Sequence, residues 1–181
     1  MFNNWHIYSF WNNIKLNQKK NKLIVKKILI STGGSGGHVL PAISIYQHLQ
    51  NNYEVSLITD KRGSNFINKK DFEYKILDVP NIFSNIIKFP INLILFLFSI
   101  FKFLKYLNQN KIQILFSTGG YMSFPACIAA KILNIKIFLF EPNMIVGRAN
   151  KLFLKYSNKI ICYNEQIIGI PKKLRNKIYV V

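Results

Sequence analysis

Lys27-Ile28-Leu29-Ile30-Ser31-Thr32-Gly33-Gly34-Ser35-Gly36-Gly37-His38-Val39-Leu40-Pro41 is the stretch on which the fold class turns. Ile28-Leu29-Ile30 is apolar on consecutive residues, which places it in a sheet covered by helices on both faces. It runs directly into a glycine cluster. Glycines after a strand let the backbone approach a ligand closely, and the helix that follows offers free N–H groups and a positive dipole end. Phosphate is the natural ligand of such a loop.

Outward from this stretch, short β-branched runs alternate with helical stretches, the pattern of βαβ units on a parallel sheet. Strands are expected at Ile28 to Ser31, Glu54 to Thr59, Tyr74 to Val79, Ile112 to Phe116, Lys136 to Phe140, Lys159 to Cys162 and Lys177 to Val181. Helices are expected at Leu40 to Gln50, Asn85 to Leu107, Ser123 to Leu133 and Arg148 to Tyr156, with a short one near Asn65 to Lys69. The fold class is therefore doubly wound α/β with a mostly parallel sheet. Ligands of such sheets bind outside the carboxyl ends of the strands, where the loops Gly33 to His38, Ser117 to Met122 and Glu141 to Arg148 should gather.

The glycine cluster lacks the Lys-Ser/Thr pair of a Walker A loop, so nucleotide triphosphate hydrolysis is poorly supported. A dinucleotide fingerprint started at Gly34 ends on Val39 and is incomplete, although Asp60, at the end of the second strand, resembles a ribose-binding acid. A Rossmann NAD(P)-binding domain thus stays open as an alternative. A turn using glycine for geometry alone leaves Ser35 and His38 unexplained.

Composition bounds the partners. The 181 residues suit one domain, and with half of them hydrophobic the chain folds. The formal charge of +18 asks for an anionic partner, which nucleic acid, phosphorylated metabolites or acidic lipid would each satisfy. Nucleic acid is disfavoured because the lysines are scattered and no recognition motif is present. Cys127 and Cys162 have neither metal-ligand spacing nor a disulfide-rich context and are expected to be reduced core residues. Residues 1–26 have no secretory character and are expected to form a poorly ordered basic extension.

Three segments in register carry a family resemblance. Gly33-Gly34-Ser35-Gly36-Gly37-His38-Val39-Leu40-Pro41 resembles the first glycine loop of the MurG family of N-acetylglucosaminyltransferases. Thr118-Gly119-Gly120-Tyr121-Met122-Ser123 is similar to its second loop, and Glu141-Pro142-Asn143 with Gly147-Arg148-Ala149-Asn150-Lys151 to its His-Glu-Gln-Asn segment and following helix. The resemblance runs from about Lys27 to the end. It implies the Rossmann-like amino-terminal, acceptor-side half (residues 27–181) of a GT-B glycosyltransferase that works by inversion without metal or cofactor. The reaction implied is transfer of N-acetylglucosamine from UDP-N-acetylglucosamine to undecaprenyl-pyrophosphoryl-muramoyl-pentapeptide. The carboxyl-terminal nucleotide-sugar domain is missing from this sequence, so a longer chain or a partner chain is expected to supply it.

The attacking sugar hydroxyl must lose a proton, and histidine is the side chain best suited to accept one near neutrality. His38 is the expected base, although a capping or packing histidine at a helix start would look the same. Glu141 is the alternative base, or a partner that orients the active groups. The resemblance implies nucleotide-sugar contacts from Ser35, Gly36, Gly37 and Asn143, and less firmly from Asn150, with Gly119 and Gly120 in the substrate-binding loop. Tyr121 either lines the acceptor cleft or simply packs beside the glycine turn. Phe140 and Pro142 replace the family's usual His and Gln, whose hydrogen bonds are lost here.

Ile91-Asn92-Leu93-Ile94-Leu95-Phe96-Leu97-Phe98-Ser99-Ile100-Phe101 is apolar nearly all round and flanked by Lys88, Lys102 and Lys105. A spanning helix needs about 20 apolar residues, so this run is expected not to cross a bilayer. Either it is a buried domain helix, or one face packs on the sheet while another enters a membrane interface. The resemblance implies the second, with Phe83, Ile86, Ile87, Lys88, Phe89 and Lys102 contributing to a patch on an anionic membrane surface. It further implies a peripheral position on the cytoplasmic face of the bacterial inner membrane. A non-enzymatic alternative is a membrane-anchoring subunit that recruits a separate catalytic chain.

Overall fold

The computed structural model describes residues 26–80 and 87–181. The expected extension, apart from Lys26, lies outside the described residues, as do Phe83 and Ile86.

Seven strands form one wholly parallel sheet: β1 (Lys27–Ser31), β2 (Glu54–Thr59), β3 (Tyr74–Ile76), β4 (Ile114–Ser117), β5 (Lys136–Glu141), β6 (Lys159–Cys162) and β7 (Ile178–Val180). Their order is β3-β2-β1-β4-β5-β6-β7. The chain builds outward from β1 in one direction and from β4 in the other, so the two loops that leave β1 and β4 diverge and open a crevice between them. The doubly wound expectation holds.

Helices α1 (Gly36–Leu49), α2 (Lys61–Ser64), α3 (Phe89–Gln109), α4 (Ser123–Ile132) and α5 (Arg148–Phe153) connect the strands, and a 3-10 helix (Lys172–Lys177) precedes β7. The sheet is covered on both faces, as its apolar strands require. Ile28 and Ile30 pack with Val39, Ala42, Ile45 and Leu49 of α1, while Leu29 packs on the other face with Phe103 and Leu107 of α3 and Ala126 and Ala130 of α4.

Several boundaries differ from the sequence expectation. Helix α1 begins four residues early, because extended Ser35 serves as its N-cap residue and its carbonyl accepts from His38 N (3.1 Å) and Val39 N (3.2 Å). Gly36 and Gly37 are therefore the first helical turn and not part of the turn before it. The short helix near Asn65 to Lys69 lies instead at Lys61–Ser64, because Asp60 caps it by accepting from Gly63 N at 2.7 Å. Strand β3 ends at Ile76 and not at Val79.

Helix α3 starts at Phe89 and ends at Gln109, against Asn85 to Leu107 expected. The apolar run by itself was too short, but the 21-residue helix is long and apolar enough to cross a membrane by length and composition. Phe96, Ser99, Phe103 and Leu107, spaced three or four residues apart, are nonetheless buried as one stripe, and α3 packs chiefly along α4. Its opposite side is open.

Candidate active site

The crevice at the β1/β4 switch point is built by contacts between the two glycine loops. Thr118 N donates to Ser31 O at 3.2 Å, and a buried Thr118 Oγ1 to Thr32 Oγ1 bond of 2.8 Å ties the strand ends together. Gly119 (φ 94°) and Gly120 (φ 79°) occupy the left-handed region that favours glycine. A Cβ on Gly120 would sit 2.7 Å from Gly33 O, and one on Gly119 would sit 3.0 Å from His38 Cε1. These glycines allow the second loop to close over the first.

His38, the third residue of α1, does not cap its own helix. Its Nδ1 reaches across the crevice to Thr118 O at 2.8 Å. A carbonyl only accepts, so Nδ1 carries the proton and the neutral ring keeps its lone pair on Nε2. The ring lines a cleft of about 250 Å³ whose remaining wall comes from Gly119, Gly120, Tyr121 and Phe124 on one side and from Glu141 and residues 147–150 on the other. Tyr121 lines this cleft, and its ring lies 5.5 Å from Phe124 and 6.5 Å from Phe96.

Glu141, at the end of β5, is 1% exposed. Its Oε1 accepts from Asn143 N (3.2 Å) and Asn143 Nδ2 (2.8 Å), and its Oε2 from Gly147 N (2.8 Å) and Asn150 Nδ2 (3.1 Å). Four donors fill the lone-pair directions of both oxygens, so the carboxylate braces the loop between β5 and α5. Asn150 is 2% exposed, and its Nδ2 also donates to Phe140 O at 3.0 Å while its Oδ1 has no hydrogen-bond partner among the described residues. A buried, unpaired acceptor in a cleft wall invites a donor from a ligand.

Asp60 is not placed to hold a ribose. Its Oδ1 accepts from Gly34 N (2.9 Å) and Gly63 N (2.7 Å), and its Oδ2 faces Arg62 Nη2 at 3.4 Å, so the carboxylate is committed to holding the first glycine loop. Phe140 is a core residue, edge to face with Tyr163 at 5.4 Å. Cys127 and Cys162 are free and buried, and burial pushes the Cys127 thiol up to about 12, with the Ser117 hydrogen bond pulling weakly the other way. No His/Cys/Asp/Glu group able to hold a metal occurs among the described residues.

Of the expected site residues, the structure gathers His38, Gly119, Gly120, Tyr121, Glu141 and Asn150 on one cleft. Ser35, Gly37 and Asn143 are exposed outside its lining, and the Ser35 hydroxyl makes no hydrogen bond among the described residues. Gly36 is held for packing, since a Cβ there would approach the Phe66 ring to 3.2 Å. Phe124 and Arg148 line the cleft without having been singled out. For Arg148 the signal was available: a glycine-arginine step opening a helix at a strand's carboxyl end.

The open side of α3 forms a second surface. Ile87, Ile91, Ile94, Phe98 and Phe101 are exposed at helical spacing, with Lys88, Lys102 and Lys105 also exposed. Through the Phe96–Tyr121 ring contact, the same helix touches the wall of the cleft.

The glycosyltransferase family 28 N-terminal domain matches residues 28–162. A UDP-N-acetylglucosamine–N-acetylmuramyl-(pentapeptide) pyrophosphoryl-undecaprenol N-acetylglucosamine transferase of Pelagibacter ubique is 53% identical over 156 residues, which are 86% of this chain and 44% of the relative. Its namesake in Rickettsia typhi is 36% identical over 157 residues, 85% of this chain and 40% of the relative. Among solved structures, MurG of Acinetobacter baumannii superposes with a TM-score of 0.71 at 22% identity, covering 86% of this chain and 45% of that one. A UDP-GlcNAc 2-epimerase of Methanocaldococcus jannaschii gives 0.62 at 15% identity over 86% and 45%. At these identities the structural likeness shows the fold. The chain spans less than half the length of the curated relatives it matches.

Proposed function

The chain belongs to glycosyltransferase family 28 as its N-terminal domain, and on that premise we propose that it is the acceptor half of a transferase for lipid-linked muramyl-pentapeptide. The donor is UDP-N-acetylglucosamine and the acceptor undecaprenyl-pyrophosphoryl-muramoyl-pentapeptide, the substrates in the names of its relatives. The carrying observation is the His38 ring, oriented by Thr118 O so that its Nε2 lone pair is available at a cleft on the switch point.

In this reading the acceptor hydroxyl gives its proton to Nε2 as its oxygen attacks the anomeric carbon. The bond from that carbon to the UDP oxygen breaks on the opposite face, which inverts the configuration. Thr118 O stabilises the imidazolium that forms. Glu141 acts as a positioning residue, and the Asn150 Oδ1 accepts a substrate N–H or O–H. Ser35, Gly36, Gly37 and Asn143 contact the nucleotide sugar when the carboxyl-terminal domain covers them.

The test is transfer of radiolabelled N-acetylglucosamine from UDP-N-acetylglucosamine into the lipid fraction. The chain completed by a family carboxyl-terminal domain is expected to label it, and the 181-residue chain alone is not. Failure of the completed protein with this acceptor would remove the proposal.

The exposed face of α3 supports a peripheral membrane position, which we place on the cytoplasmic face of the inner membrane, where the acceptor head group is presented. Burying an aromatic side chain is worth about 1.5–3 kcal/mol, so Phe98→Asp and Phe101→Asp are each expected to weaken cosedimentation with phosphatidylglycerol vesicles about tenfold or more. Undiminished cosedimentation of the double variant would count against this placement.

A further inference from the structure

Arg148 is the one side chain of fixed positive charge on the wall of the cleft. Its backbone is held firmly: Gly147, immediately before it, donates its N–H to Glu141 Oε2 at 2.8 Å, and Lys151 N donates to Gly147 O at 2.9 Å. The side chain is not held. It is exposed and makes no hydrogen bond or ion pair among the described residues. Glu141, the one carboxylate on the same wall, cannot take it, because Asn143, Gly147 and Asn150 already fill both oxygens.

The other arginines are employed differently. The sequence has three arginines among 25 basic residues. Arg62 faces Asp60 Oδ2 at 3.4 Å, and Arg175 donates to Glu165 O at 2.9 Å and Ile167 O at 3.1 Å. Among the described residues only Arg148 presents an unengaged guanidinium, and it lines the same cleft as His38, where the one carboxylate is already occupied. The planar guanidinium fork matches two phosphate oxygens at once, which an ammonium does not.

We propose that Arg148 binds a diphosphate ester in this cleft, an assignment that rests on the transferase reading above. Both substrates in that reading carry the group, one between uridine and N-acetylglucosamine, the other between the polyprenyl chain and the muramyl sugar. The loss on substitution identifies which of the two Arg148 holds.

The test is calorimetric titration of the chain completed by a family carboxyl-terminal domain, wild type, Arg148→Ala and Arg148→Lys. The probes are UDP-N-acetylglucosamine and a water-soluble short-chain polyprenyl diphosphate N-acetylmuramyl-pentapeptide, with uridine and free muramyl-pentapeptide as unphosphorylated controls. Arg148→Ala is expected to weaken one diphosphate probe about ten- to a hundredfold, with its control and the thermal midpoint unchanged and Arg148→Lys recovering part of the loss. If wild type binds a diphosphate probe and Arg148→Ala binds both as tightly, the assignment is wrong and the transferase reading stands. Equal losses for the unphosphorylated controls would show a structural role and also overturn it. If wild type binds neither probe, the assignment falls together with the reading beneath it.

Discussion

Replacing His38 with alanine is expected to lower kcat of the transferase, completed by its carboxyl-terminal domain, by about 10²–10⁴-fold, the usual contribution of a positioned general base. The ring is placed for that role and for little else. Its Nδ1 is engaged with Thr118 O at 2.8 Å, which fixes both ring orientation and tautomer. Removing the ring therefore deletes the proton acceptor, and the half-buried site loses little core packing. His38→Asn separates the two roles, since its amide N–H can still donate toward Thr118 O but no basic nitrogen remains. Steady-state kinetics on both variants should show the loss in kcat with KM changing less. Unchanged turnover in both would mean that His38 is no base, and would favour the alternative in which this chain anchors and recruits a separate catalytic subunit.

Glu141→Ala is expected to cost about 3 kcal/mol of stability or more, because hydrogen bonds to a charged group contribute about 1.5–3 kcal/mol each and are not additive within one network. Four donors converge on this carboxylate, which is 1% exposed. For a domain of this size the loss corresponds to a thermal midpoint lowered by roughly 6–12 °C, read by circular dichroism. Gly147 and Asn150 lose their anchor at the same time, so ligand affinity should fall with the midpoint. Glu141→Gln sharpens the distinction between brace and base. Its amide sets N–H groups against donors and destabilises the loop, whereas a base would lose turnover with the midpoint intact. A Glu141→Ala protein melting with wild type would contradict the bracing role.

Much of this was legible in the sequence, and for local reasons. Consecutive apolar residues at Ile28-Leu29-Ile30 and at Ile114-Leu115-Phe116 can be satisfied only between two helical layers, and every expected strand was found. The second glycine loop was marked only by its resemblance, and the structure adds that Gly119 and Gly120 occupy the left-handed region. The long apolar segment left a buried helix and a half-exposed one both open, and in the structure α3 buries one stripe and exposes the other side.

The remainder depended on partners far along the chain. His38 and Thr118 are 80 residues apart, and nothing near either one says that the carbonyl of the second fixes the tautomer of the first. Asp60 looked like a ribose ligand until its oxygens proved to be taken by Gly34 and Gly63. Glu141 stood as an alternative base or an orienting partner on chemical type alone, and only the four donors around it speak for the second. Arg148 could be placed at a helix start from its glycine-arginine step, but only the folded chain shows that its guanidinium has no partner among the described residues. Periodicity, turn chemistry and motif are properties of neighbouring residues and so establish sheet, layers and loop positions. Whether a polar group at those loops is occupied or free depends on which strand ends the β1/β4 crossover brings together, and that emerged only once the chain was folded.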